Sequence, residues 1–265
     1  MTVRIATWNI NSLRLRVATL ARVVAALTPD VICLQETKVA DDEFPFDAVR
    51  ALGFEHVLFR GMKSYNGVAI LSRLPLTEMP GRSWCDKEDC RHLAALLPDG
   101  TELHNFYVPA GGDIPDPEQN DKFAHKLAFV EEMTGWFRGQ HQAPRILVGD
   151  LNIAPLETDV WSHKQLLNVV SHTPVEVAGL TGLMAAHKWI DAVRAFFPAE
   201  QRLYTWWSYR NRVWPGSDRG RRLDHIWVTP PLERRLRSAS VLREARGWDK
   251  PSDHAPVVME IAPQG

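Results

Sequence analysis

The spacing of apolar residues changes twice within the first forty positions. Val3, Ile5 and Thr7 alternate with Arg4, Ala6 and Trp8 at the period of a strand. Val17, Leu20, Ala21, Val24 and Leu27 then recur at helical spacing until Thr28-Pro29-Asp30 stops them. Val31-Ile32-Cys33-Leu34 is an unbroken apolar run of the kind found in strands buried on both faces. Strand, helix and strand predict a βαβ unit, and its parallel strands deliver Asn9 and Glu36 to one edge. The pattern next predicts a short helix over 46–52 and strands over 56–59, 68–72, 92–97 and 102–108. Four strands with no long helix between them indicate an antiparallel portion, so the sheet is mixed. A helix is expected to start at Asp116-Pro117-Glu118 and to run through Phe123, Leu127, Val130, Met133, Trp136 and Phe137 to about Gly139. Ile146 to Val148 is a buried strand stopped by Gly149. Helices are expected over 175–187 and 189–197, and strands over 204–209, 223–228 and 257–261. The sum is an α/β (α+β) chain of two strand-rich halves packed together, with helices outside.

Composition adds bounds rather than detail. The 265 residues are 45% hydrophobic with no linker or repeat, which points to a single domain over 1–265. Met1-Thr2-Val3-Arg4 enters a strand pattern without a signal peptide, and no apolar run is long enough to span a membrane. Three cysteines without metal-type spacing suggest reduced thiols in a cytoplasm. A net charge of −1 means that any field attracting a nucleic acid must be local.

The candidate chemistry lies where apolar runs finish. Asp150 and Asn152 follow the strand ending at Gly149, and in extended backbone an i, i+2 spacing points both side chains to one side. Alone, the pair reads equally well as an Asx turn. It is not alone. Asn9 and Asn11, Gln35 and Glu36, Asn105 and Tyr107, Asp224 and His225, and Asp253 and His254 occupy similar ends. Acids, amides, a phenol and imidazoles gathered in this way suit metal-assisted phosphodiester hydrolysis. Mg²⁺ prefers oxygen donors and needs only one or two carboxylates; Glu36 and Asp253 are the natural ligands, with Asn9 adding an amide oxygen. No zinc-type Cys/His spacing is present. Adjacent residues in extended chain point apart, so Asp224 rather than Asp253 is the expected orienter of His254. Asp150 is then the general base toward water, and Asn152, Tyr107 and His254 are donors to phosphate oxygens.

Those motifs resemble the exonuclease III family of class II abasic-site endonucleases, within the wider endonuclease/exonuclease/phosphatase superfamily that includes deoxyribonuclease I. The resemblance runs from Thr7-Trp8-Asn9-Ile10-Asn11 through Leu34-Gln35-Glu36-Thr37-Lys38, Asn66-Gly67-Val68, Tyr107-Val108-Pro109 and Gly149-Asp150-Leu151-Asn152. It ends at Arg222-Leu223-Asp224 and Pro251-Ser252-Asp253-His254-Ala255-Pro256. It implies a four-layered α/β sandwich, two mixed sheets face to face with helices outside. It also implies Glu36, Asn9 and Asp253 for the metal, with Asp150 and Asn152 available to a shared or second ion, and it pairs Asp224 with His254.

For DNA, the stretch from Arg202 to Arg222 interleaves arginines with aromatics. Arg210, Arg212 and Arg221 suit backbone phosphates, and Lys63 with Asn66 forms a second candidate loop. The resemblance places Trp206 and Leu223 in the family's abasic-sugar pocket, with Arg221 where some members carry Trp. Tyr204 and Trp207 alternate with Trp206 and read as core. Ala110, after Pro109, stands where many relatives carry an amide. The tract Arg234-Arg235-Leu236-Arg237 reads as solvated surface. The expected protein is a monomeric DNA repair nuclease using Mg²⁺ or Mn²⁺. It acts on double-stranded DNA at abasic sites and 3′ ends, and away from membranes. The competing readings are a phosphatase of a small phosphoester and a non-catalytic nucleic-acid-binding relative.

Overall fold

The computed structural model describes residues 2–211 and 213–263. Its first sheet has six strands in the order Leu236–Val241, Val257–Ile261, Val3–Asn9, Val31–Gln35, Tyr65–Ser72 and His56–Met62. The second runs Thr77–Glu78, His92–Leu96, Glu102–Tyr107, Arg145–Asp150, Asp224–Val228 and Ile190–Asp191. Each sheet contains one parallel pair among antiparallel neighbours, Val3–Asn9 with Val31–Gln35 and Glu102–Tyr107 with Arg145–Asp150.

Side-chain alternation builds the layers. Ile5, Cys33, Ile70, Val257 and Met259 from one sheet meet Leu103, Ile146, Val148, Ile226 and Val228 from the other, so the middle core belongs to both halves. The opposite faces are apolar too. Ala6, Trp8, Ile32 and Leu34 bury against Leu20, Val23 and Val24 of the helix Val17–Leu27. Phe106, Leu147 and Trp227 bury against Phe129, Val130, Met133 and Leu180 of the helices Asp121–Arg138 and Pro174–Ala186. This double burial is why the strands read as continuous apolar runs, and it yields the expected four layers.

Both parallel pairs are joined through a helix, so Asn9 lies beside Gln35 and Tyr107 beside Asp150 in register. The antiparallel neighbour starts at Asp224, opposite Asp150. All these polar ends therefore share one edge of the sandwich. Gly149 is required there: with φ at 145° its Cα passes so near Phe106 that a Cβ would lie 1.9 Å from the Phe106 carbonyl oxygen.

Three expectations need correction. Residues 189–197 are not a helix; Asp191 Oδ1 accepts from the backbone N–H of Val193 and Arg194 and folds the segment into turns, with Ala192 and Val193 reaching the middle core. The strand over 204–209 shrinks to Trp206–Trp207, paired with Gly220–Arg221 in a separate ribbon. The long helix begins after Asn120, whose side chain caps Lys122, and not at Asp116. Leu236–Val241 is an edge strand that drew no strand reading, and Arg234 and Arg237 beside and within it are exposed, as expected of solvated surface.

Candidate active site

Asp150 ends its strand sealed from solvent, and two neighbours fix its carboxylate through three hydrogen bonds. Asn9 Nδ2 donates to Oδ2 at 2.8 Å and Asn152 Nδ2 at 3.1 Å, while the Asn152 backbone N–H reaches Oδ1 at 2.9 Å. Asn152 achieves this because it takes a left-handed φ of 54°, which folds its amide back onto Asp150. His254 stands beside them. Its Nδ1 lies 2.8 Å from Asp224 Oδ2 and its Nε2 3.6 Å from Asp150 Oδ2. Thr205 Oγ1 donates to the same Asp224 oxygen at 2.6 Å and accepts from the Leu223 and Asp224 amides.

Glu36 occupies the neighbouring corner. Tyr107 Oη donates to Oε1 at 2.8 Å, Asn9 Nδ2 to the same oxygen at 2.9 Å, and Lys38 Nζ holds Oε2 at 2.7 Å. Lys38 also donates to Asn11 Oδ1 at 2.7 Å, and Asn11 Nδ2 donates to Asp253 Oδ1 at 3.0 Å. Trp206 Nε1 completes Asp253 with a 2.9 Å bond to Oδ2. One chain of contacts thus joins Glu36 to Asp253. Glu36, Lys38 and Asn11 all have φ between 48° and 52°, the left-handed region that side-chain-bearing residues enter at a cost of about 1 kcal/mol or more each. Such backbone clustered at one edge marks a functional site.

Electrostatics separate the acids. Burial, helped by Asp224 and Glu36 and opposed by His254 and Asn9, lifts the Asp150 carboxyl to about 7. Burial works against a charged His254, yet Asp224 and Asp150 outweigh it and raise the imidazole to about 10. Burial also lifts Glu36, but Lys38, Asn9 and His254 outweigh it and hold it below its ordinary value. Asp253 is lowered against burial by His254, Asn11 and Trp206. Burial with the Glu36 and Asp150 charges holds the Tyr107 phenol well above its ordinary range, so it keeps its proton.

Among the described residues, the three ligand-type side chains with donor atoms within 4.8 Å of one another are Asp150, Asp224 and His254. Chemically that group is an acid–imidazole–acid relay, because both ring nitrogens face carboxylates. Glu36 and Asp253 supply oxygen donors alone, the set that suits a hard divalent cation; the expected Asn9 oxygen is not among them, because its Oδ1 accepts from the Asn11 backbone N–H at 3.1 Å while its Nδ2 faces Glu36 and Asp150. The two carboxylates fit such an ion, and Lys38 Nζ pairs with Glu36 Oε2.

The cavity above these residues holds about 940 Å³ and is lined by Glu36, Asp253 and His254 on one side and by Trp206, Leu223 and Arg221 on another. A smaller, mainly apolar opening of about 290 Å³ lies around Val3, Ile146 and Ile261, at the other ends of the same strands. It gathers none of the site's residues. Of the expected DNA contacts, Arg210 is exposed and lines the large cavity. Arg221 lines it too, clamped to the Val170 carbonyl at 2.8 Å and to Ser171 Oγ at 2.7 Å. Lys63 is exposed on a hairpin turn beside Tyr65–Ser72, outside the cavity lining. Asn66 is corrected: it is buried and its amide donates to the Asp89 carbonyl at 2.8 Å, so it fixes a loop instead of presenting to solvent. Arg212 lies outside the described residues.

Two expected donors point elsewhere. The single Tyr107 hydroxyl proton goes to Glu36, and the Asn152 amide N–H groups go to Asp150 and to the Val108 carbonyl at 2.9 Å. Several supports were missed. Arg91 lies over the Tyr107 ring at 4.8 Å, and Ser252 Oγ ties the Asn9 carbonyl at 2.7 Å. Lys126, fully buried, donates to the Asn152 carbonyl at 2.8 Å and pairs with buried Glu176. A lysine between Phe123 and Val130 on the apolar helix face was a readable signal for it.

Comparison with known proteins places this geometry in context. A family model described as "Endonuclease/Exonuclease/phosphatase family" matches residues 6–254. Exodeoxyribonuclease III of Haemophilus influenzae is 31% identical over 96% of this chain and 98% of its own length. An AP endonuclease from Archaeoglobus fulgidus superposes with a TM-score of 0.90 at 31% identity, covering 98% of this chain and 99% of that one. The 3′ phosphatase NExo from Neisseria, bound to product DNA hairpin, also gives 0.90 at 31% identity, covering 98% and 100%.

Proposed function

The chain belongs to the endonuclease/exonuclease/phosphatase family and is a DNA repair nuclease, and from that premise we propose that Asp150 is its general base, working with Mg²⁺ or Mn²⁺ at Glu36 and Asp253. One observation carries the reading: a carboxylate lifted to about 7 stands 3.6 Å behind a protonated imidazole, His254, that lines the cavity together with Glu36 and Asp253. A carboxylate of that basicity takes a proton from water near neutral pH far better than an ordinary aspartate. Asn9 and Asn152 hold it in one orientation. His254, kept cationic by Asp224, offers its Nε2 proton to a phosphate oxygen. Tyr107 and Lys38 fix the Glu36 carboxylate. A bound divalent cation supplies Lewis-acid neutralisation of the phosphate and the leaving oxygen.

Water attack on phosphorus with loss of the 3′-oxygen describes both incision 5′ to an abasic site and removal of a nucleotide or blocking group from a 3′ end. The cavity wall of Trp206 and Leu223 supports a place for the residue beyond the scissile phosphate. We assign one domain, because the middle core draws on both sheets, and a monomer. Three unpaired cysteines favour a reducing cytoplasm. No described helix is long and apolar enough to cross a membrane.

A duplex labelled at one 5′ end and carrying a single abasic analogue tests the proposal, with Mg²⁺, a chelator control and Asp150→Asn. The expected result is one metal-dependent product ending just before the lesion, absent with Asp150→Asn. A ladder receding from the 3′ end alone would shift the function to exonuclease work. Full activity in chelator, or in the variant, would remove the metal or the base.

A further inference from the structure

Lys126 is fully buried in the helix Asp121–Arg138, on the face turned to the core. A methionine would fill that space without the cost of burying an ammonium. What the lysine adds is three N–H donors. They meet three oxygens: Glu176 Oε1, itself sealed from solvent, the Asn152 carbonyl at 2.8 Å and the Ala110 carbonyl at 3.3 Å. Glu176 matches the charge and is fixed in turn by the Ser171 backbone N–H at 2.9 Å and the Thr173 hydroxyl at 2.7 Å. The ion pair is complete within itself, so the other two donors serve Asn152 and Ala110, which both line the large cavity. Gly111 makes the room for this: with φ at 90°, a Cβ there would lie 2.9 Å from Lys126 Cδ.

The turn Asp150-Leu151-Asn152 is pinned differently along its length. Its first half is fixed by neighbouring strands: the Val108 N–H reaches the Asp150 carbonyl at 3.0 Å, and the Leu151 N–H reaches the Leu223 carbonyl at 2.9 Å. Asn152 then enters the left-handed region, where its N–H and its side-chain amide both turn back onto Asp150. Its own carbonyl meets no backbone N–H among the described residues, and Lys126 is the partner it has. Resting on the reading of Asp150 as the base, we infer that Lys126 is a positioning residue for the hydrolysis. It holds Asn152 in the left-handed turn that keeps the Asp150 carboxylate in one orientation. It acts by placement and not by charge, because Glu176 already meets the ammonium. Without that donor the left-handed residue keeps its conformational cost and loses its tether. The peptide then relaxes, and two of the three hydrogen bonds on Asp150 go with it.

Lys126→Met alone would strand a buried carboxylate, so the decisive variant is Lys126→Met/Glu176→Gln. It neutralises both partners and keeps an oxygen to cap Ser171 and Thr173, and its urea midpoint is expected to stay near that of wild type. On the abasic duplex its kcat is expected to fall at least about tenfold, with KM within about twofold of wild type. Hydrogen exchange in the peptide 150–154, read by mass spectrometry without DNA or metal, should quicken in the same variant. Lys126→Arg keeps a donor and a charge and should recover part of the kcat. Glu176→Gln keeps the lysine, so it should lose stability while kcat per folded molecule holds within a few-fold. It gives an answer even where the double variant folds poorly, because a kcat loss in Glu176→Gln equal to that in Lys126→Met would make the pair one structural unit and overturn the inference. A wild type that incises no duplex overturns the nuclease reading, and this inference with it. A wild type that does, beside a double variant equal to it in kcat and in exchange, overturns this inference alone.

Discussion

Asp150 and Asp159 are both sealed from solvent and lie close together in the chain, yet their carboxyls are pulled in opposite directions. At Asp159 burial is outweighed by Arg222 and Arg194, and the acid is held below its ordinary value. At Asp150 burial wins, because the neighbours are one imidazole, two amides and two further carboxylates. The difference is completeness. Around Asp159 every charge meets its opposite, giving a finished buried network that fixes the turn before Arg222. Around Asp150 three carboxylates face one imidazole, and such uncompensated charge is typical of a functional site. Burial alone therefore says nothing about function; uncompensated burial does.

The sharpest break of that comparison is one substitution made at both places. Asp150→Asn is expected to lower turnover by at least about 10³-fold while duplex binding persists, because it removes the base and keeps the shape. A group whose folded pKa is raised carries stability that is present at low pH and lost as pH rises through that pKa. Above about pH 7 the ionised Asp150 is thus a burden without metal, and the Asn variant should melt no lower than wild type in chelator. Asp159→Asn should do the reverse. It leaves Arg222 and Arg194 short of charge, costs about 3–5 kcal/mol of stability, and leaves kcat per folded molecule within a few-fold. Urea melts paired with active-site titration separate the two. Similar profiles for both variants would erase the distinction.

A second contrast lies within one strand. Asp224 feeds charge to His254, while His225, next in the chain, faces the other side of the sheet. Burial first, then Arg222, depresses the His225 imidazole to about 4. Its Nε2 lies 2.9 Å from the Ile153 carbonyl, and its Nδ1 has no partner. A histidine lowered on folding contributes full stability above its unfolded value near 6.5 and loses it as pH falls through about 4. That window is worth about 3 kcal/mol. The urea midpoint should fall between pH 6.5 and 4.5, and His225→Gln should flatten the slope. A variant with the wild-type slope would assign the window to other buried imidazoles such as His92 and His104, which are lowered in the same direction.

Much of this was legible from sequence for one reason. Strands buried on both faces are written as apolar runs, and the site is assembled from what interrupts them: Asn9, Glu36, Tyr107, Asp150, Asp224 and His254. Failures came where another rule governed. Leu236–Val241 drew no strand reading because it is an edge strand whose Ser238 and Ser240 keep it half polar. Residues 189–197 carry helical spacing, but Asp191 is drawn to Arg222 and the backbone turns to follow. Apolar pattern also cannot say where a proton points. That Tyr107 donates to Glu36, or that Asn152 folds back on Asp150, depends on a left-handed φ and on neighbours distant in sequence. Thr205 acts behind the site and carries no motif, whereas Lys126 left a trace as a lysine on an apolar helix face.

The direction of the Tyr107 proton yields the smallest and most discriminating prediction. If the phenol serves Glu36, Tyr107→Phe removes a hydrogen bond worth about 1–2 kcal/mol to a carboxylate that must hold a cation. The divalent-metal concentration for half-maximal rate should then rise about tenfold, as it does when other groups supporting a metal ligand are removed. The rate at saturating metal should recover to within a few-fold of wild type. A phenol that turns to donate to phosphate in the working complex gives a different pattern: metal affinity stays put and kcat remains low however much metal is added. A metal titration of both proteins on one duplex decides between them. The first outcome makes Tyr107 part of how leftover negative charge is kept ready for a cation. The second would mean that the arrangement without substrate misreports the donor, and that the unfinished electrostatics around Asp150 are completed by DNA as well as by metal.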